Sequence, residues 1–293
     1  MRQGVLLTIL LLLVGCAPGA AQPAVTPAQQ AEAPETLPSA TFTAVRVTET
    51  PAPSPTALPS ATPTRALPTA TATPAAAVCS PLEGIQVEEL GQPDLLKTLF
   101  QAPRPGQDDG HHGADFAFWS RGDRKSMLGL PIHSVLAGQV VGIIPNRPPY
   151  GYAVIIETTL EQLPPGWQDP LPTPAPTIMP ATNLFCPPDP TQYANRPGRS
   201  LYLLYAHMNQ PPVVTLGQAV SCGQVIGEVG TTGKSVNAHL HLETRVGPSG
   251  AVFEEMAHYD NAATEGEMRT YCTWRVSGLF QMLDPMDLLS LQP

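Results

Sequence analysis

Toward the C-terminal end of the chain, Asn237-Ala238-His239-Leu240-His241-Leu242-Glu243 sets two imidazoles two residues apart in strand-like sequence. Residues i and i+2 of an extended strand project from the same face, so His239 and His241 point the same way. Two imidazoles so placed can share a metal ion, or one can bind it while the other handles a proton. A His-x-His pair arises often by chance, and two exposed strand histidines would be unremarkable by themselves. Other stretches answer this one. His111-His112-Gly113-Ala114-Asp115 offers a second group of potential ligands, and the stretch 200–208 delivers His207 on the face it shares with Leu203 and Tyr205. His111 lies four residues before Asp115, across Gly113, where a flexible backbone can fold the imidazole back toward the carboxylate. Adding His241 gives two imidazoles and one carboxylate, the ligand set expected of a catalytic zinc site with its fourth position open to water. His112 competes with His111 for that role, and His133 and His258 read as surface histidines.

The elements that must position these groups are short strands. Gly138–Ile144, Tyr152–Glu157, Leu201–His207 and Val225–Val229 are β-branched or aromatic runs bounded by Gly and Pro. Helical periodicity is nearly absent. Two short helices are expected, over Glu88–Phe100 and over Asp284–Leu289, where Asp284 can cap and Pro285 suits the first turn. The expected fold is all-β, an antiparallel β-sandwich or open barrel with loop insertions and few short helices. Two segments read as insertions, the Pro-rich 158–199 and the polar 246–283, because both exceed ordinary hairpin loops. Four cysteines fall in this part of the chain, and none is spaced Cys-x-x-Cys, which argues against a zinc ribbon. Three disulfide pairings are possible, and the favoured one joins Cys186 to Cys272, stapling the insertions, and leaves Cys79 for Cys222.

The N-terminal part is of another kind. Met1–Gly15 reads as an export signal, with Arg2 ahead of an apolar run too short for the ~20 residues of a spanning helix. The run ends in Leu13-Val14-Gly15-Cys16, which resembles the bacterial lipobox and implies lipidation of Cys16. Residues 16–78 are Pro, Thr, Ala and Ser with few large apolar side chains, a composition that cannot offset ordering entropy. The expectation is a disordered tether between a membrane anchor and the domain of residues 79–293. Of the 293 residues 36 are Pro and 13% are charged, and the net charge of −9 leaves no basic stripe for nucleic acid.

From His111 to Glu243 the chain resembles the lysostaphin-type (LytM-like) zinc metallopeptidases. The matching stretches occur in that family's order: His111-x-Gly113-x-Asp115, Gly129-Leu130-Pro131-Ile132, Tyr150-Gly151, Leu204-Tyr205-Ala206-His207-Met208, Gly223–Gly227, Gly230–Gly233 and Ala238–Glu243. The resemblance implies one zinc ion held by His111, Asp115 and His241, with His207 and His239 as the outer catalytic pair. It implies an endopeptidase acting on peptidoglycan peptides outside the cytoplasm, in the cell envelope. The alternative is a non-enzymatic relative that binds wall or regulates a hydrolase, and such relatives usually lack one or more ligands.

Overall fold

The computed structural model describes residues 78–104, 107–168, 171, 184–188 and 196–291. The export signal, Cys16 and the tether up to residue 77 lie outside the described residues, as does much of the first insertion. Among the described residues the strands are β1 (Leu96–Thr98), β2 (Ala114–Phe116), β3 (Pro131–His133), β4 (Gly138–Arg147), β5 (Gly151–Thr159), β6 (Arg199–Met208), β7 (Ala219–Val220), β8 (Val225–Glu228), β9 (Leu240–Pro248) and β10 (Gln281–Leu283). The α-helices are α1 (Pro165–Gln168), α2 (Glu265–Arg275) and α3 (Pro285–Leu289). One large sheet runs β1-β2-β9-β6-β5-β4-β7, and β10 lies alongside β9 beyond β2. A small sheet pairs β3 with β8. The described strand pairs are antiparallel, as expected, and the large sheet stays open rather than closing into a barrel.

Alternate side chains of a strand leave opposite faces, so a strand buried on both faces needs apolar residues throughout. This is the state of β5 and β6. Val154, Ile156, Leu201, Leu203 and Tyr205 enter one core with Leu82, Leu90, Met127 and Ile132. Ala153, Ile155, Tyr202, Leu204 and Ala206 enter a second core with Phe253, Met256, Tyr271, Trp274 and Phe280.

The second core corrects the reading of 246–283 as a loop insertion. β9 continues to Pro248, and the segment beyond it carries α2 and β10 and covers a whole face of the sheet. Its apolar residues follow no sustained period, but its helix start was legible. Thr264 Oγ1 accepts from Glu267 N at 3.2 Å, and the Glu267 carboxylate accepts from Thr264 N at 2.8 Å, a capping box of the T-x-x-E type. The helix expected over 88–100 is also corrected. Only a 3₁₀ turn forms at Val87–Glu89, Gly91 and Pro93 interrupt any continuation, and Leu96–Thr98 becomes the edge strand β1. α3 begins as expected, with the Asp284 carboxylate accepting from Met286 N at 2.9 Å. Both favoured disulfides are present, Cys79–Cys222 and Cys186–Cys272, with Cα separations of 5.7 and 5.8 Å.

Gly113 lies where the chain before β2 crosses β9. A Cβ there would stand 2.3 Å from the Leu242 carbonyl oxygen, so any side chain forces the two backbones apart. Replacing Gly113 by Ala is expected to cost about 1–3 kcal/mol or more in urea denaturation, as overpacking does. Gly166→Ala, where a Cβ meets nothing within 4 Å, serves as the control and should leave stability unchanged or slightly raised.

Candidate metal centre

β2 and β9 pair in register, with Asp115 opposite His241, so the carboxylate and one imidazole reach the same cleft from adjacent strands. His111 is brought alongside by a bridge to Gln101, whose N–H donates to the His111 carbonyl at 2.7 Å. Three atoms then converge. His111 Nε2 lies 3.0 Å from Asp115 Oδ1 and 3.2 Å from His241 Nδ1, and His241 Nδ1 lies 2.8 Å from the same carboxylate oxygen. These three residues are the one His/Cys/Asp/Glu cluster of metal-binding geometry among the described residues.

The far side of each ring settles its proton. His111 Nδ1 is 2.9 Å from the Leu99 carbonyl oxygen, which only accepts, so this nitrogen carries the hydrogen and Nε2 presents its lone pair. His241 Nε2 faces Glu243 Oε1 at 3.3 Å, which leaves Nδ1 as the lone-pair nitrogen. His207 and His239 follow the same rule. His207 Nδ1 donates to the Thr232 carbonyl and His239 Nδ1 to that of Asn237, each at 2.8 Å. Their rings lie 4.7 Å apart between centroids, tilted by 47°, and His239 Nε2 stands 3.7 Å from Asp115 Oδ1. His207 holds this position at φ 60°, a left-handed conformation rare for a residue with a Cβ and frequent at functional sites. All five expected residues therefore line one cleft of about 550 Å³, together with Lys97, Lys234 and Tyr259.

His112, the competitor for His111, is not part of the cluster. It is buried, accepts from Arg245 Nη2 at 2.9 Å on Nδ1 and faces the Asp109 carbonyl at 3.1 Å with Nε2. His258 is not a surface histidine either. It is buried against the Tyr271 ring at 5.1 Å and reaches the Phe185 carbonyl at 3.0 Å. His133 is partly exposed beside Glu83. Glu243 and Arg245 were missed as supporting residues. The signal was available, since residues 241, 243 and 245 of one strand share a face.

Residues 194–252 match Peptidase family M23. That span includes His207, His239 and His241 and leaves His111 and Asp115 outside it. Similar solved structures include the catalytic domain of the antimicrobial peptidase lysostaphin from Staphylococcus simulans, at 17% identity, covering 66% of this chain and 90% of that one, with a TM-score of 0.33. The catalytic domain of a variant of the prophage-encoded M23 protein EnpA from Enterococcus faecalis is similar at 21% identity, covering 55% and 88%, with a TM-score of 0.32. A zinc containing peptidase from Vibrio cholerae is similar at 20% identity, covering 51% of this chain and 32% of that one, with a TM-score of 0.29.

The charge balance of the cluster tests whether a cation fits it. Burial disfavours an ionised Asp115, yet the hydrogen bonds to His111 and His241 outweigh that and hold its carboxyl well below the usual carboxylate range. Burial likewise disfavours a charged His241, yet its bonds to Asp115 and Glu243 raise its pKa to about 9. Positive charge is thus favoured beside Asp115, and the donor set of two imidazoles and one carboxylate suits zinc. Burial pushes His207 and His112 the other way, each to about 3, helped by His241 beside the first and by Arg275 and Arg245 beside the second.

These shifts give the chelator-treated protein a defined stability profile. His207 and His112 stay neutral in the fold but charge in the unfolded chain, so stability rises with pH between about 3 and 6.5. His241 binds its proton more tightly when folded, so its contribution is complete below 6.5 and is lost as pH rises through about 9. Urea denaturation after chelation should show a maximum near pH 6.5, with an alkaline slope of at most about 1.4 kcal/mol per pH unit. A flat profile from pH 6.5 to 9.5 would contradict the assignment.

Proposed function

We propose that the chain is a zinc-dependent endopeptidase that hydrolyses peptide bonds of cell-wall peptidoglycan. The observation that carries this reading is the shared orientation of four imidazoles. Each gives one ring N–H to an oxygen and turns its other nitrogen, beside the Asp115 carboxylate, toward the cleft. The match of residues 194–252 to a peptidase family supports it, as does the order of motifs from His111 to Glu243.

In this reading His111, Asp115 and His241 hold the ion. Bound zinc supplies a Lewis acid that polarises a carbonyl and brings the pKa of water from 15.7 to about 7. The proton work falls to His207 and His239. Each commits its Nδ1 hydrogen to a backbone carbonyl, which turns Nε2 toward the cleft. One ring accepts the proton of the attacking water. The protonated ring then donates to the developing oxyanion or to the leaving amine, a contribution of about 2.7–4 kcal/mol for a well-placed oxyanion donor.

The proposal extends to the N-terminal part of the chain. An export signal over residues 1–15, lipidation at Cys16 and a Pro-rich tether to residue 78 would hold the domain at the membrane surface while it works in the wall. Among the described residues no helix is long and apolar enough to cross a membrane.

Digestion of purified wall tests the division of labour. His207→Ala and His239→Ala are each expected to lose 10²- to 10⁴-fold in cleavage rate while keeping one zinc per chain. Asp115→Ala and His241→Ala are expected to lose both zinc and cleavage. Full activity in either of the first two variants, or cleavage that survives removal of the metal, would overturn the proposal.

A further inference from the structure

Behind His241 lies a polar cluster that the reaction itself does not use. Glu243 and Arg245 are completely buried. Glu243 Oε1 accepts from Tyr150 Oη at 2.8 Å and from Arg275 Nη1 at 3.4 Å, besides facing His241 Nε2 at 3.3 Å. Its other oxygen, Oε2, accepts from Trp274 Nε1 at 2.8 Å and from Arg245 Nη2 and Nε at 2.8 and 3.0 Å. Both oxygens are therefore gripped, and the plane of the carboxylate is set. Arg245 is gripped in turn, donating through Nη1 to the Trp274 carbonyl at 2.8 Å and to that of Phe280 at 3.3 Å.

Trp274 and Arg275 close helix α2, and that helix is tied down at several points. Glu267 in its first turn accepts from Arg147 Nη2 of β4 at 3.2 Å. Cys272 is bonded to Cys186. Arg275 Nε donates to the buried Asp108 at 2.9 Å, and Asp108 also accepts from Tyr259 Oη at 2.7 Å and Tyr271 Oη at 3.0 Å. A carboxylate behind a metal-binding imidazole fixes which nitrogen is protonated and which way the ring points. Here the carboxylate is itself oriented by donors 31 and 32 residues further along the chain.

We propose that helix α2 is a working part of the metal centre. Through Trp274 and Arg275 it holds Glu243 in the orientation that keeps His241 Nε2 protonated and Nδ1 turned to the ligand cluster. The inference rests on the reading of His111, Asp115 and His241 as zinc ligands. Trp274 and Arg275 are positioning residues, since neither is among the ligands. Trp274→Phe keeps the ring in the second core and removes one N–H from Oε2. Glu243→Gln keeps the shape but replaces an acceptor by an amide that can offer N–H to His241, which favours the wrong tautomer.

The test uses the full chain, stripped of metal and titrated with zinc against a chromogenic chelator, with the Tm of the metal-free form measured in parallel. Glu243→Gln is expected to weaken zinc binding 10- to 100-fold, and Trp274→Phe about tenfold, with each metal-free protein still folding cooperatively. Cobalt substitution should show an altered visible spectrum in both variants. If Trp274→Phe does not fold, Arg275→Lys, which keeps the charge beside Asp108, replaces it with the same expectation. Folded variants that bind zinc within about twofold of the wild type, with an unchanged cobalt spectrum, would overturn the inference alone. A wild-type chain that takes up no zinc would overturn the ligand assignment and this inference with it.

Discussion

The structure turns on a local conflict of lone pairs. His111 Nε2, His241 Nδ1 and Asp115 Oδ1 stand within 3.2 Å of one another, and the hydrogens that could separate them are committed elsewhere, to Leu99 and Glu243. Acceptor atoms packed this closely and partly shielded from water repel unless positive charge lies between them. The pKa of His241, raised despite burial, expresses the same demand. A divalent cation meets it more fully than one proton, because it can face all three atoms at once.

Holding such a conflict in place requires a stiff support, and the sheet supplies it. β9 lies between β6 on one side and β2 and β10 on the other, so the strand that carries His241 is paired along both edges. The same arrangement gives its two faces different duties. Leu240, Leu242 and Val246 pack into the first core, while residues 241, 243 and 245 lie on the other face, where Glu243 and Arg245 meet α2. The proposed ligand His241, the carboxylate of Glu243 and the buried charge of Arg245 thus succeed one another along a single strand face. The polar cluster tolerates burial because its charges are paired and both Glu243 oxygens have donors.

The candidate ligands and the central strands were legible in the sequence for a physical reason. Strand alternation is strict, so His239 and His241 had to share a face, and apolar runs such as Leu201–Ala206 mark strands buried on both sides. The residue types alone grouped the His111–Asp115 stretch with them and left His112 as a competitor; the family resemblance favoured His111, and the Gln101 bridge and the Arg245 contact show how the fold sets the two histidines apart. The segment 246–283 was hidden because its contribution is tertiary. Trp274, Arg275 and Phe280 matter through partners more than thirty residues away, and a mostly polar helix gives little periodic signal. The helix expected at 88–100 failed for the opposite reason, since local spacing suggested a helix that Gly91 and Pro93 do not allow to continue.

X-ray absorption at the zinc edge of the purified protein addresses the central claim most directly. The account expects one zinc per chain in a shell of nitrogen and oxygen donors at about 2.0–2.2 Å, with the multiple-scattering pattern of two imidazoles. A shell containing sulfur at about 2.3 Å, a pattern without imidazole, or no zinc in protein prepared with it present would contradict the account.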